Sequence, residues 1–265
     1  MSFSAKGLHA RSYKTSRTII ALVLREMATT YGRSPGGYIW AILEPIGGLA
    51  IMTVAFSMAF AAPALGNNFP LFYATGFLPF MLYSDLSVKI SQSIRFSHAL
   101  LFYPSVTYLD AIIGRFLLNG LTHIMVFYVL MYGIMTFFDT GNILDYPAIV
   151  NSLCMALAIG LGVGIFNCFV LSRYPLWDRL WAIINRPLFI ISSIFFLLES
   201  LPQPFRDYMW YNPLVHVIGE MRRGFYATYD ATWVSPMYVY GISMGFGLIG
   251  LIFLGRYHRE ILNDN

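Results

Sequence analysis

Residues 147–171 read PAIVNSLCMALAIGLGVGIFNCFVL, a run without a single Asp, Glu, Lys or Arg. A bilayer core about 30 Å thick takes roughly 20 apolar residues per helical crossing, so this stretch is expected to span a membrane. Five more candidates lie around it: Tyr38 to Phe60, Leu71 to Val88, Ala111 to Phe138, Trp181 to Leu198 and Met237 to Leu254. The chain therefore reads as an all-α polytopic membrane protein. Six transmembrane helices occupy residues 38–254, between a cytoplasmic N-terminal stretch at 1–37 and a cytoplasmic tail at 255–265.

Composition points the same way. The chain is 57% hydrophobic, 17% aromatic and 11% charged, against about 25% charged in a soluble domain. The net charge of +4 would suggest nucleic acid in a soluble protein; here the placement of the charges matters more. Lys6, Arg11, Lys14, Arg17, Arg25 and Arg33 precede the first span, and no basic residue lies between Ala61 and Pro70. Lys89, Arg95 and Arg115 flank the second connection, Asp139 and Asp145 the third, Arg173 and Arg179 the fourth, and Arg256 and Arg259 the tail. Basic and neutral or acidic connections alternate, which puts both termini in the cytoplasm. The fifth connection, 199–236, has its basic residues balanced by acidic ones.

Three segments outside the spans carry pattern. From Ser16, a candidate cap, Ile20, Val23, Leu24 and Met27 recur at helical spacing with Arg17, Arg25 and Glu26 interspersed, as in an amphipathic helix lying in the membrane interface. A plain cytoplasmic helix packed on a partner is the alternative. The connection 89–110 can form a short amphipathic helix through Ile90, Ile94, Ala99, Leu100 and Leu101 that stops near Tyr103 and Pro104, suited to docking a soluble partner, though a plain loop is equally compatible. In 199–236, Asn212 and Pro213 form a cap and first-turn pair. Leu214, Val217, Ile218, Met221 and Phe225 then share one face, with Glu220, Arg222 and Arg223 elsewhere. Too short to cross, this helix reads as half of a re-entrant hairpin shielded by protein, its rival being a loop lying on the outer surface.

Ionisable groups inside the spans are few: Glu44, Asp85, His123 and Arg186. Intramembrane charges usually find partners, so Glu44 and Arg186 are expected to pair, unless each snorkels to the headgroups. Ala156, Gly160, Gly164 and Cys168 form a small-residue stripe on the fourth span, and Gly241 with Gly245 on the sixth, both suited to close helix packing. Cys154 and Cys168 are about 21 Å apart along one helix and cannot bridge within it. No Cys/His spacing resembles a metal site. The only Lys followed by Ser or Thr is Lys14-Thr15, and Tyr13 precedes it, so there is no P-loop. No Asp, Glu or His relay runs along the spans, so uphill work calls for a separate energy-supplying subunit.

Three blocks carry a family resemblance: REMATTYGRSPGGYIWAILEP at 25–45, LFYATGFLPFMLYSDLSVKISQSIRFSHALLFYPSVTYLDAIIGR at 71–115 and NPLVHVIGEMRRGF at 212–225. Through them, and over essentially its whole length, the chain resembles the transmembrane subunits of ABC-2 type exporters, in the branch that exports capsular polysaccharide. The resemblance implies a type V exporter architecture with an interfacial helix near 17–31, a coupling segment near 93–104 and an outer gate near 201–229. It implies a homodimer working with two cytoplasmic ABC ATPases, which would bind the ATP and Mg; this chain itself needs no cofactor and meets no nucleic acid. Ser97, His98, Leu101, Phe102, Tyr103 and Pro104 would contact the ATPase. Asn212, Pro213, Glu220, Arg222 and Arg223 would form the gate. A lipid-linked polysaccharide would be the cargo, membrane lipids the surroundings, and periplasmic and outer-membrane export proteins the continuation of the route.

A hydrated glycan crossing hydrocarbon needs a polar or aromatic lining. Phe72, Tyr73, Phe77, Tyr83, Tyr128 and Tyr132 lie on spans that could border such a path, although aromatics in membrane proteins commonly serve packing or the interfacial belt. The alternatives are export of O-antigen or teichoic acid, or an integral membrane enzyme acting on polyprenyl-linked sugars. The enzyme would require clustered carboxylates or a His/Asp constellation that the sequence does not offer. A passive channel is disfavoured by the lack of a charge ring or carbonyl filter motif.

Overall fold

The computed structural model describes residues 14–30, 37, 39–103, 106–138, 140–141 and 143–263. Within them every regular element is helical: α1 (Lys14–Thr30), α2 (Ile39–Ala59), α3 (Phe69–Ser91), α4 (Ser93–Leu101), α5 (Tyr108–Phe137), α6 (Tyr146–Arg173), α7 (Trp177–Ile191), α8 (Phe205–Trp210), α9 (Pro213–Phe225) and α10 (Pro236–Asn263), with a 3₁₀ turn at Leu198–Ser200. Among the described residues four helices, α2, α5, α6 and α10, are long and apolar enough to cross a bilayer on their own.

Local chemistry sets several of these boundaries. Thr107 and Asp110 close a reciprocal capping box at the start of α5, the threonine hydroxyl accepting from the Asp110 N–H and the carboxylate from the Thr107 N–H. Asp145 caps α6 ahead of Pro147. Asn212 caps α9 by accepting from the Leu214 N–H, with Pro213 in the first turn, as its sequence indicates. Ser16 is not the cap of α1, which already begins at Lys14.

The helix α3 is long enough to span but carries Asp85, Lys89 and several hydroxyls, and its neighbours α2, α5, α6 and α9 enclose it. Along α3 the core divides into three layers. Leu71, Phe72 and Phe77 meet Phe127, Leu130 and Phe225 in the first. Leu82 and Tyr83 meet Met155, Ile159 and Val217 in the second. Leu86 and Ile90 meet Ile112, Ile165 and Leu254 in the third. Burying one such Leu or Phe is worth about 1.5–3 kcal/mol where the alternative is water; in lipid the gain comes from packing and from screening the polar groups of α3.

The span expected at Trp181 to Leu198 is not one continuous helix. Its helix, α7, is 15 residues long, about 22 Å at 1.5 Å per residue. It stops at Ile191 because Ser193 takes a left-handed backbone conformation (φ 64°), which ends a helix. The chain then runs on as a bent stretch to Leu197.

Small residues allow the closest approaches. A Cβ at Gly160 would come within 3.1 Å of Leu86 and one at Gly164 within 2.8 Å of Ile90, so the expected stripe on α6 seats α3. The stripe expected on α10 is a different pair. Gly241 and Gly245 meet nothing within 4 Å, whereas a Cβ at Gly162 would collide with the Ser243 carbonyl and one at Gly250 would lie 2.7 Å from the Phe166 nitrogen. The α6–α10 contact thus rests on Gly162 and Gly250. Gly162→Ala should cost about 1–3 kcal/mol of overpacking and lower the thermal midpoint in detergent, while Gly241→Ala should leave it unchanged.

Candidate functional site

At one end of the bundle, α9 is packed inside the protein among α3, α6 and α10 and is not laid on the surface. Leu214, Val217, Ile218, Met221 and Phe225 are buried as their spacing indicates, but Glu220 and Arg222, assigned by sequence to other faces, are buried too. The Arg222 guanidinium donates to the carbonyls of Ile194 and Phe196, both at 2.8 Å, and lies 4.3 Å from the Phe72 ring centre. Those carbonyls belong to the bent stretch after α7, which has no helical partners to offer them. Burial pushes Arg222 down to about 10 against the pull of the Tyr229 and Tyr226 phenols and the Glu199 carboxylate, so it remains charged near neutrality. Gly76 on α3 makes the junction possible: a Cβ there would stand 3.2 Å from the Ile194 Cα.

Further bonds fasten the same corner. Asn212 donates to the Ile191 carbonyl and the Ser192 hydroxyl, both at 3.2 Å. Glu220 accepts from Asn151 at 2.9 Å and from Arg223 at 2.8 Å, and Asn151 in turn accepts from the Tyr240 hydroxyl at 3.0 Å. The Ser235 N–H donates to Nδ1 of His216, so Nε2 carries the proton and donates to the Trp210 carbonyl at 2.8 Å. Burial holds this imidazole below its usual value, against the opposing effect of the Trp210 carbonyl.

At the opposite end, α1, α4 and α5 meet over one ion pair. Glu26 and Arg115 lie 3.3 Å apart with both side chains buried, and Arg115 also donates to the Lys89 carbonyl at 2.6 Å. The Phe96 ring takes the Arg115 guanidinium at 4.1 Å and that of Arg25 at 5.1 Å. Arg25 and Glu26 therefore join α1 to α4 and α5; Arg17 is exposed. The inward face of α1 is built on Leu22 and Glu26, and Ile20 and Leu24 point away from the core. They contribute to an open apolar groove between α1 and α5, with Leu117, Leu121 and Met125 on its other wall. On α4, Ile94, Ser97 and Leu101 are buried, His98 stacks edge-on against Phe102 at 5.1 Å, and Phe102 and Tyr103 are 60% and 63% exposed. Pro104 lies outside the described residues.

Glu44 and Arg186 do not meet within the chain. Glu44 lines a polar pocket of about 220 Å³ with Asp85, Lys89, Asn119 and His123, in which Asp85 and His123 pair at 3.3 Å; Arg186 is exposed on α7. Of the aromatics proposed for a path, Phe72, Tyr73, Phe77 and Tyr83 are interior packing residues. Tyr128 and Tyr132, 68% and 65% exposed, stack on each other at 6.2 Å along α5. No group of three or more potential metal ligands occurs among the described residues.

The joints at Arg222 and at Glu26–Arg115 are not legible in the sequence: each links positions remote in the chain, and amphipathic spacing alone sets Arg222 off the apolar face of α9.

No family model matches the chain. It is 31% identical over 234 residues to the polysialic acid transport protein KpsM of Escherichia coli, covering 88% of this chain and 91% of that protein. It is 27% identical over 263 residues to the capsule polysaccharide export inner-membrane protein CtrC of Neisseria meningitidis, covering 97% and 98%. To the capsule polysaccharide export inner-membrane protein BexB of Haemophilus influenzae it is 24% identical over 247 residues, covering 92% of each.

Arg222→Ala strands two carbonyls and should cost about 3 kcal/mol, whereas Arg206→Ala in the same hairpin should stay within ~0.5 kcal/mol; unfolding by SDS titration in mixed micelles separates them. The unfolded chain takes up a proton at His216 near pH 6.5 and the folded chain only below that. The stability His216 contributes is therefore complete above about pH 6.5 and drains away as pH falls toward the lower folded value. The protection factor of the Ser235 N–H, with exchange corrected for its intrinsic pH dependence, should fall over that window.

Proposed function

The chain belongs to the family of capsule polysaccharide export inner-membrane proteins, the ABC-2 type permeases, and we propose on that premise that it is the transmembrane subunit of an ATP-driven exporter carrying lipid-linked capsular polysaccharide across the bacterial inner membrane. The observation that carries this reading is similarity running nearly end to end with transporters of that kind, 97% of the chain against CtrC.

The physical layout supports it. Six crossings follow if α3, screened by its neighbours, and α7 with its bent extension join the four long apolar helices. Both termini then face the cytoplasm, together with α4 and the joint it shares with α1 and α5. A cytoplasmic ATPase pressing on the exposed Phe102 and Tyr103 would act on a short helix fastened through Phe96 and Arg115 to α1 and α5, so a displacement there is passed on and not absorbed locally. ATP and Mg belong to that partner. The helix α2 buries only Pro45 and Leu49, leaving Leu43, Ile46, Ile51 and Val54 for lipid or for the second copy of a homodimer. The α8–α9 hairpin stands at the far end as the outer gate, where periplasmic and outer-membrane export proteins would take over the polymer.

The deciding experiment copurifies the chain with its ATPase and asks whether lipid-linked polymer stimulates ATP hydrolysis. Stimulation is the expected result, and the Phe102→Ala, Tyr103→Ala double variant should lower it at least ~fivefold without reducing membrane insertion. Capsule export that persists after deletion of the ATPase would overturn the proposal.

A further inference from the structure

A second feature of the α4 end is a cleft of about 250 Å³ between α4 and the turn joining α6 to α7. Ile94 and Leu171, both buried, form its floor, and Ser91, Ser172, Arg95 and His98 its polar lining. The hydrogen-bonding capacity of that lining is lopsided. The Ser91 hydroxyl donates to the Val88 carbonyl at 2.8 Å and the Ser172 hydroxyl to the Cys168 carbonyl at 2.7 Å, so neither proton is left for a ligand. The groups left to face a ligand are Arg95, which is exposed and joins none of the ion pairs found among the described residues, and Nε2 of His98, which is enclosed, has no hydrogen-bond partner and donates in its Nε2–H tautomer. A buried polar atom left unpaired costs about 1–3 kcal/mol. No Asp or Glu is among the described residues of the lining. The serine oxygens retain lone pairs that can only accept, so the net charge and the free donors of the cleft come from Arg95 and His98, and these ask for an acceptor with negative charge. Its volume equals that of roughly eight waters, which suits one side chain and not a helix.

We propose that this cleft receives a carboxylate side chain of the cytoplasmic ATPase subunit, bound by Arg95 and by Nε2–H of His98. The inference rests on the exporter reading and adds the chemistry of one contact to it. Charge complementarity selects the ligand, and the neighbouring Phe102 and Tyr103 supply the exposed aromatic contact that commonly accompanies such an anchor. Because His98 also stacks on Phe102, filling the cleft fixes the ring that the aromatic contact uses. Arg95 then acts as a specificity element, favouring an ATPase with an acidic residue at the matching place and rejecting one with a basic residue there.

The test measures binding of the purified ATPase subunit to the full chain in lipid nanodiscs, made either of phosphatidylcholine alone or with added phosphatidylglycerol. Arg95→Glu, a change at an exposed position, should weaken binding about tenfold or more in both kinds of disc. Lysine in place of one Asp or Glu on the ATPase should restore Arg95→Glu binding to within about threefold of the original pair. His98→Gln, which keeps a donor, should bind more tightly than His98→Ala. The proposal is overturned if Arg95→Glu binds within about twofold of the unaltered chain, or if no acidic-to-basic change on the ATPase rescues it. It is equally overturned if the loss appears only in discs containing phosphatidylglycerol, which would make the cleft a lipid headgroup site. Failure of the unaltered chain to bind any ATPase would instead remove the exporter reading, and this inference with it.

Discussion

Hydrocarbon offers no hydrogen bonds, so wherever a chain stops being helical inside a membrane protein its carbonyls must be answered by other protein groups. Arg222 gives that answer for the bend after α7. Its guanidinium holds two carbonyls of the bend and its planar face lies over Phe72 of α3, while Gly76 leaves the room. One side chain thereby joins α9, α3 and the end of α7. The Asn212 amide adds a second tie to the end of α7, and the Asn151, Glu220 and Tyr240 bonds extend the fastening to α6 and α10. An arginine suits this post because its flat fork meets two acceptors at once and still stacks on a ring.

The other end of the bundle also rests on a buried arginine against an aromatic ring, with a carboxylate in place of the bend carbonyls. There an ion pair between Glu26 and Arg115 is taken out of contact with solvent and lipid, and Phe96 lies against two guanidinium groups. A buried pair of this kind adds little net stability over an apolar replacement but tolerates few alternatives. It fixes the position of α1 relative to α4 and α5. The tightly bonded corners thus lie at the two ends of the molecule, and the middle contains the tight α3–α6 and α6–α10 contacts made by glycine.

Much of this was legible in the sequence, for identifiable reasons. The α6 span announces itself because its apolar run is uninterrupted, and Asn212-Pro213 marks the start of α9 because both residues have strong positional preferences. The length of α7 was not legible. Residues 192–198 are as apolar as a helix would be, and the left-handed turn at Ser193 carries no glycine to advertise it. Burial of Arg222 and Glu220 was hidden for a related reason: amphipathic periodicity separates apolar from charged faces, whereas a helix enclosed on all sides has no outer face for charge. Of the path aromatics, Phe72, Tyr73, Phe77 and Tyr83 belong to the core because α3, on which they stand, is the helix that the others surround.

The contrast between α2 and α3 also bears on how the molecule is made. As synthesis proceeds, α2 can partition into lipid as soon as it emerges, since almost every side chain it carries is content there. Its successor differs: Asp85 pairs with His123 of α5, a helix still to be translated. On the exporter reading, in which α3 also crosses, such a helix waits at the translocon until α5 and α6 have been delivered, so that insertion is a collective event and not a succession of independent steps.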